Sequence, residues 1–175
     1  KKALCACQNR IPAIGLVGVF GYLDAGTRDL HADLHPFVAA GREIVFAVDS
    51  DAAINRDIAV AAHRFGAIAR LRGCKFKALA LPPHFEGGNG LRIAVKACVD
   101  DVIVKDGAGR MRALLDKAEP VCGNADDLYV RWLLDCAGLC AAEGADPRPL
   151  AGDIARKGYF DKPASGGVKT VIEAG

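Results

Sequence analysis

The chain has 175 residues, 51% of them hydrophobic, which is enough to bury the core of one domain, or of one domain with a small appendage. Its 23 basic and 21 acidic residues nearly balance, so no global field draws in nucleic acid and only a local basic groove is left for that role. Seven scattered cysteines argue for reduced thiols rather than a disulfide framework, and no secretory pattern or apolar run of about 18 residues is present, so a cytoplasmic protein with no membrane partner is expected.

In chain order, residues 1–8 read as a short helix and 11–19, broken by Gly15 and Gly18, as a strand running into a loop. The Gly-, Asp-, His- and Pro-rich stretch 20–40 predicts an irregular connection with a short helix near Pro36. Residues 44–48 are all apolar and three are β-branched, as in a strand covered on both faces. From 51 to 72, Ile54, Ile58, Ala61, Phe65, Ile68 and Leu71 recur at helical spacing, and Gly73 ends the pattern. Residues 76–81 return as a strand stopped by Pro82-Pro83, and a Gly-rich loop follows through Gly90. Residues 99–104 predict a short strand or turn, and 110–118 a helix. This alternation argues for a mainly parallel sheet flanked by helices, over residues 1–119. Beyond it, a helix over 125–140, a break at Asp146-Pro147-Arg148-Pro149 and a short helix over 150–157 make a small helical appendage spanning 120–161. Residues 162–175 read as a linker-like tail.

The strand over 44–48 runs into Asp49-Ser50-Asp51, two carboxylates separated by one residue at the end where open α/β sheets place their ligands. Such a pair suits a hard divalent cation, which prefers oxygen ligands and often binds through one or two carboxylates with water and phosphate. The competing reading is local: Asp51 ahead of Ala52-Ala53-Ile54 also suits a helix N-cap.

Several pieces in order carry a family resemblance. Lys1-Lys2-Ala3-Leu4 followed by residues 11–21 resembles the stretch just after the first motif of Toprim-like domains in phage and plasmid replication proteins. Asp49-Ser50-Asp51 is similar to the Asp-x-Asp motif of that family, and Val99-Asp100-Asp101 to its later Asp-Asp segment. The resemblance covers residues 1–119 and implies a Toprim-like (Rossmann-like) α/β fold that carries out metal-dependent phosphoryl transfer on DNA or RNA, as in primases. It further implies Mg²⁺ or Mn²⁺ at the catalytic pair Asp49 and Asp51, Asp100 and Asp101 on a second metal or its waters, and Lys96 on a phosphate. The competing reading for Asp100 and Asp101 is a solvated turn or a helix cap, and for Lys96 a solvated side chain.

The chain departs from the family at one point: no Glu precedes Glu43, whereas the family's metal site adds an upstream Glu-Gly. The expectation is that the first strand and this glutamate belong ahead of Lys1, or that the acid is lost, and that the chain alone is weak or inactive. A helicase module in the same parent chain is an implied neighbour; no Gly-x-x-x-x-Gly-Lys-Ser/Thr loop is present, so the chain itself should not act as a nucleotide-driven motor. The alternative function is a non-catalytic nucleic-acid-binding or scaffolding module beside that helicase. An ordinary Rossmann domain ranks below both, for want of a Gly-x-Gly-x-x-Gly turn.

Arg64, Arg70, Arg72, Lys75 and Lys77 gather where the long helix ends and the next strand begins, a candidate backbone-tracking patch for nucleic acid. A solvated helix end explains them as well. His31 and His35 at i, i+4, with Cys5 and Cys7 or Cys136 and Cys140, are conceivable zinc ligands, but no recognised spacing supports them and Pro36 disturbs the helix. His63 and His84 stand alone in the sequence. At 6% aromatic content, an extended base-stacking platform is not supported.

Overall fold

The computed structural model describes residues 1–150 apart from 89 and 91. Its centre is a βαβ unit. Strand β1 (Glu43–Val48) pairs in parallel with β2 (Lys75–Ala80), and helix α2 (Arg56–Leu71) makes the crossover between them. Asn55 caps α2 by accepting from the Asp57 backbone N–H at 3.1 Å, Asp57 and Arg70 sit at the ends that favour their charges, and Gly73 at φ +79° turns the chain into β2.

The two faces of the β1–β2 pair separate by alternation. Phe46, Val48, Phe76 and Ala78 join the first hydrophobic cluster with Ile58, Ala61, Ala62, Phe65 and Ala69 of α2. Ala47, Leu79 and Leu81 face the other way, towards a second cluster with α1 (Lys2–Gln8), α3 (Val99–Asp106) and α4 (Ala108–Asp116). The α2 face is rotated from the expected one, because the small residues Ala61, Ala62, Gly66 and Ala69 let the helix settle close to the sheet, whereas Leu71 is exposed.

The protein is α/β, but its sheets are mixed rather than mainly parallel. One has the order β1-β2-β5, in which β5 (Glu119–Pro120) pairs antiparallel with β2. The other has the order β3-β4-β6: β3 (His84–Glu86) and β4 (Arg92–Val95) form an antiparallel hairpin, and β6 (Ala145–Asp146) adds in parallel. The hairpin follows from the short connection, where Gly87 and Gly90 both take positive φ; a parallel return needs a dozen or more residues.

Four further expectations are corrected. Residues 11–19 form no strand: most are exposed and no strand pairing takes them up among the described residues. Residues 99–104 are helical, because Cys98 and Asp101 close a capping box that starts α3. The long helix begins at Arg56 rather than near 51, since Ser50–Ala53 form a separate 3₁₀ turn. The short helix expected near Pro36 is a 3₁₀ turn at Ala32–Leu34.

Helix α5 (Ala125–Glu143) starts at an Asn124–Asp127 capping box and ends at Gly144 in the left-handed conformation. Its buried residues Leu128, Trp132, Cys136 and Cys140 recur every fourth position; the first two enter the α2 cluster, and the cysteines pack with Ala53, Ala94 and Leu150. Apart from Leu150, the expected helix over 150–157 lies outside the described residues, as does the tail 162–175.

Candidate metal and phosphate site

The site is built at the carboxyl end of β1. After Val48 the chain stays extended through Asp49 (φ −63°, ψ 160°) and then turns into the 3₁₀ segment. Ser50 fixes this turn: its backbone N–H donates to the Ala97 carbonyl at 3.0 Å, and its Oγ accepts from the Ala97 N–H at 2.8 Å. The side chain is fully buried, so these bonds are shielded from water and clamp the segment after β4 against the end of β1.

That clamp brings Lys96 between the two aspartates. Its Nζ lies 2.6 Å from Asp51 Oδ2 and 3.1 Å from Asp49 Oδ2, so both carboxylates converge on one cation. Lys2 of α1 reaches Asp49 from the other side, with Nζ 2.6 Å from both Oδ1 and Oδ2. Burial alone would push the Lys96 ammonium towards its neutral form, but the hydrogen bond and charge of Asp51, helped by Asp49, overcome it and hold its pKa above the ordinary lysine value. One acceptor is left over: Asp51 Oδ1 is buried without a hydrogen-bond partner. Asp51 does not cap a helix, as its side chain goes to Lys96.

Asp100 and Asp101 occupy the first turn of α3, where the helix dipole favours negative charge. Asp101 Oδ2 accepts from the Cys98 backbone N–H at 2.9 Å and from the Cys98 thiol at 2.8 Å. The thiol hydrogen bond, against an opposing cost of burial, holds the Asp101 carboxyl below the usual carboxylate range. Asp100 is buried, with Oδ1 unpartnered and Oδ2 facing the exposed Lys1 ammonium at 3.6 Å.

A family model described as Domain of unknown function (DUF3854) matches residues 1–110. The chain belongs to the DUF3854 family. Comparison with curated proteins and with solved structures gives no match. The DUF3854 segment runs from α1 into α4 and so contains every residue of the site just described, while α5 lies beyond it.

The basic patch lies elsewhere. Arg72, Lys75 and Lys77 are at the end of α2 and along β2, whose first residue pairs with Glu43 at the start of β1. At about 3.3 Å per residue, the six-residue strand separates Lys75 from the aspartate end by roughly 16 Å. Several of these cations are also engaged: Arg70 donates to the Val121 carbonyl at 3.0 Å, Arg72 meets His35 at 3.3 Å, and Lys77 pairs with Glu43 at 3.0 Å. Arg64 is close enough to Tyr22 to act on its phenol.

The histidines and cysteines of the conceivable zinc set are not assembled. His31 accepts from the Asp33 N–H, His35 meets the Leu30 carbonyl, and His63 meets the Gly123 carbonyl. Among the described residues, the trio of His, Cys, Asp or Glu with ligand atoms close enough to share an ion is Cys98, Asp100 and Asp101. Sequence reading misses Lys2, Ser50 and Cys98. Only Cys98 carries a local signal: it stands three residues before an acid at the head of a helix, the spacing of a capping box.

Proposed function

We propose that the chain is a Toprim-like module of a primase-type nucleic-acid replication protein, in which Asp49 and Asp51 hold Mg²⁺ or Mn²⁺ for phosphoryl transfer on DNA or RNA. The observation that carries the reading is the convergence of Asp49 and Asp51 on a single cation position at the carboxyl end of a parallel strand pair, with Lys96 Nζ 3.1 and 2.6 Å away. The donor set fits the ion: both ligands are hard oxygens, and the orphaned Asp51 Oδ1 is an acceptor that lacks a donor. A metal bound there supplies charge neutralisation for the phosphoryl oxygens.

The rest belongs to the protein's own residues. Ser50, locked to Ala97, keeps the two carboxylates from drifting apart, so their orientation costs little reorganisation when a ligand arrives. Lys96 balances the carboxylates in the metal-free state, and its four-carbon stem lets the ammonium move to a phosphate oxygen when a metal takes its place. Lys2 orients Asp49 from the α1 side.

A second reading, a non-catalytic nucleic-acid-binding or scaffolding module beside a helicase, is favoured by one observation. Among the described residues, no third His, Cys, Asp or Glu joins Asp49 and Asp51 within metal-sharing distance. That pair therefore has no third ligand of this kind among the described residues. The two readings separate by experiment. Calorimetric titration with Mn²⁺ and Mg²⁺ is expected to show one site that Asp49→Asn with Asp51→Asn abolishes; unchanged affinity in the double variant removes the site. Primer-synthesis and nicking assays on the same protein, expected to be weak, divide the catalytic from the scaffolding reading.

A further inference from the structure

We propose that Cys98, Asp100 and Asp101 form a second metal site, separate from the Asp49 and Asp51 pair, that takes a thiophilic divalent cation such as Zn²⁺, Co²⁺ or Cd²⁺ in preference to Mg²⁺. Each residue offers one ligand atom, and the three atoms lie within 4.8 Å of one another, so a modest contraction brings them around one ion. A sulfur with two carboxylate oxygens is a donor set that zinc and cobalt accept and that magnesium, which demands oxygen, does not. Three protein ligands leave a coordination position open to water.

The capping box accounts for part of this cluster. It uses the Cys98 N–H and Asp101 Oδ2 and requires nothing of Asp100. Yet Asp100 is 8% exposed, its Oδ1 has no partner, and its other oxygen faces the largely solvated Lys1 ammonium at 3.6 Å. A carboxylate oxygen kept from water without a donor is costly, and a cation at this position removes the cost. The Nε2 of His84 is likewise buried and unpartnered. The positive end of α3 opposes the cation, but a thiolate and two carboxylates outweigh that half-charge. Binding replaces the S–H bond of Cys98 with an S–metal bond and releases the proton to buffer, with no change of oxidation state.

The proposal does not depend on phosphoryl transfer, and the test keeps the two sites apart. The full chain is titrated with Co²⁺ in excess Mg²⁺, with near-ultraviolet absorption as the readout. One equivalent is expected to produce a sulfur-to-cobalt charge-transfer band. Cys98→Ser should abolish the band, Asp100→Asn should weaken binding at least tenfold while keeping it, and Asp49→Asn with Asp51→Asn should leave it intact. As a check that needs no variant, Cd²⁺ should protect Cys98 of the unaltered protein from iodoacetamide, mapped by mass spectrometry. Absence of the band, its survival in Cys98→Ser, or alkylation of Cys98 undiminished by Cd²⁺ overturns the site.

Discussion

Lys96 sits where two opposing energies meet. Its side chain is three-quarters buried, which alone destabilises the charge, and two carboxylates restore it. Breaking such a set is expensive because the remaining charges stay partly desolvated and unpaired. Lys96→Met should therefore destabilise the metal-free protein by about 1–3 kcal/mol in urea denaturation, given the remaining solvent access. It should also raise Mn²⁺ affinity, by about tenfold on the scale of 1.4 kcal/mol per decade, because the ion no longer competes with a resident ammonium. A variant with lower Mn²⁺ affinity would show that Lys96 assists the metal instead of standing in for it. At this scale the sequence exposes Asp49 and Asp51, since a run of apolar residues ending in acids is a local pattern. Their partner is not legible in the same way: Lys96 lies 45 residues away, and only the Ser50–Ala97 clamp brings it back.

At the scale of elements, the closest approach is between α2 and β2. A Cβ on Gly66 would stand 2.8 Å from Phe76 Cδ1, and that ring is held by edge contacts to Phe65 at 5.2 Å and by stacking on Phe46 at 6.3 Å. Gly66→Ala gains about 1 kcal/mol of helix propensity, yet overpacking of a well-filled core costs about 1–3 kcal/mol. The net effect should be a loss of stability, read as a lower urea midpoint at unchanged slope; a higher midpoint would mean that the ring can move aside. The β1, α2 and β2 elements were readable because each has an unbroken hydrophobic period long enough to recognise. The mixed sheets were not. The strands β5 and β6 have two residues each, too short to carry any period, and their direction is set by where α4 and α5 deliver the chain. The valines of 99–104 favour a strand by propensity, but the Cys98–Asp101 cap settles the segment as α3, a case of hydrogen bonding at one end outweighing side-chain preference.

Across the described residues, three weak acids, Tyr22 and Cys136 buried and Cys98 half-buried, are held in their protonated forms. Burial, joined by the Asp101 hydrogen bond, pushes the Cys98 thiol from an ordinary 9.0 up to about 12. Burial with the neighbouring Cys140 takes Cys136 from 9.0 to about 11, and burial, partly offset by Arg64, takes the Tyr22 phenol from 10.0 to about 12. In each case the folded value is raised, so the stabilisation is complete below the unfolded value and is lost as pH climbs through the interval to the folded one. Thermal melts should show a plateau below about pH 8.5 and a midpoint roughly 5 °C lower by about pH 10.5. Cys98→Ala with Cys136→Ala should flatten that slope; an equally steep fall in the double variant would assign it to lysines or to Tyr22 alone.

Trp132 is the single tryptophan of the sequence, and it is buried where α5 meets the cluster around α2. Its indole therefore serves as a built-in optical probe of one contact, between the helix that follows the DUF3854 segment and the body of that segment. Emission that shifts to the red before far-ultraviolet ellipticity declines would mean that α5 peels away as a separate cooperative unit, whereas coincident curves would make the two parts inseparable in folding.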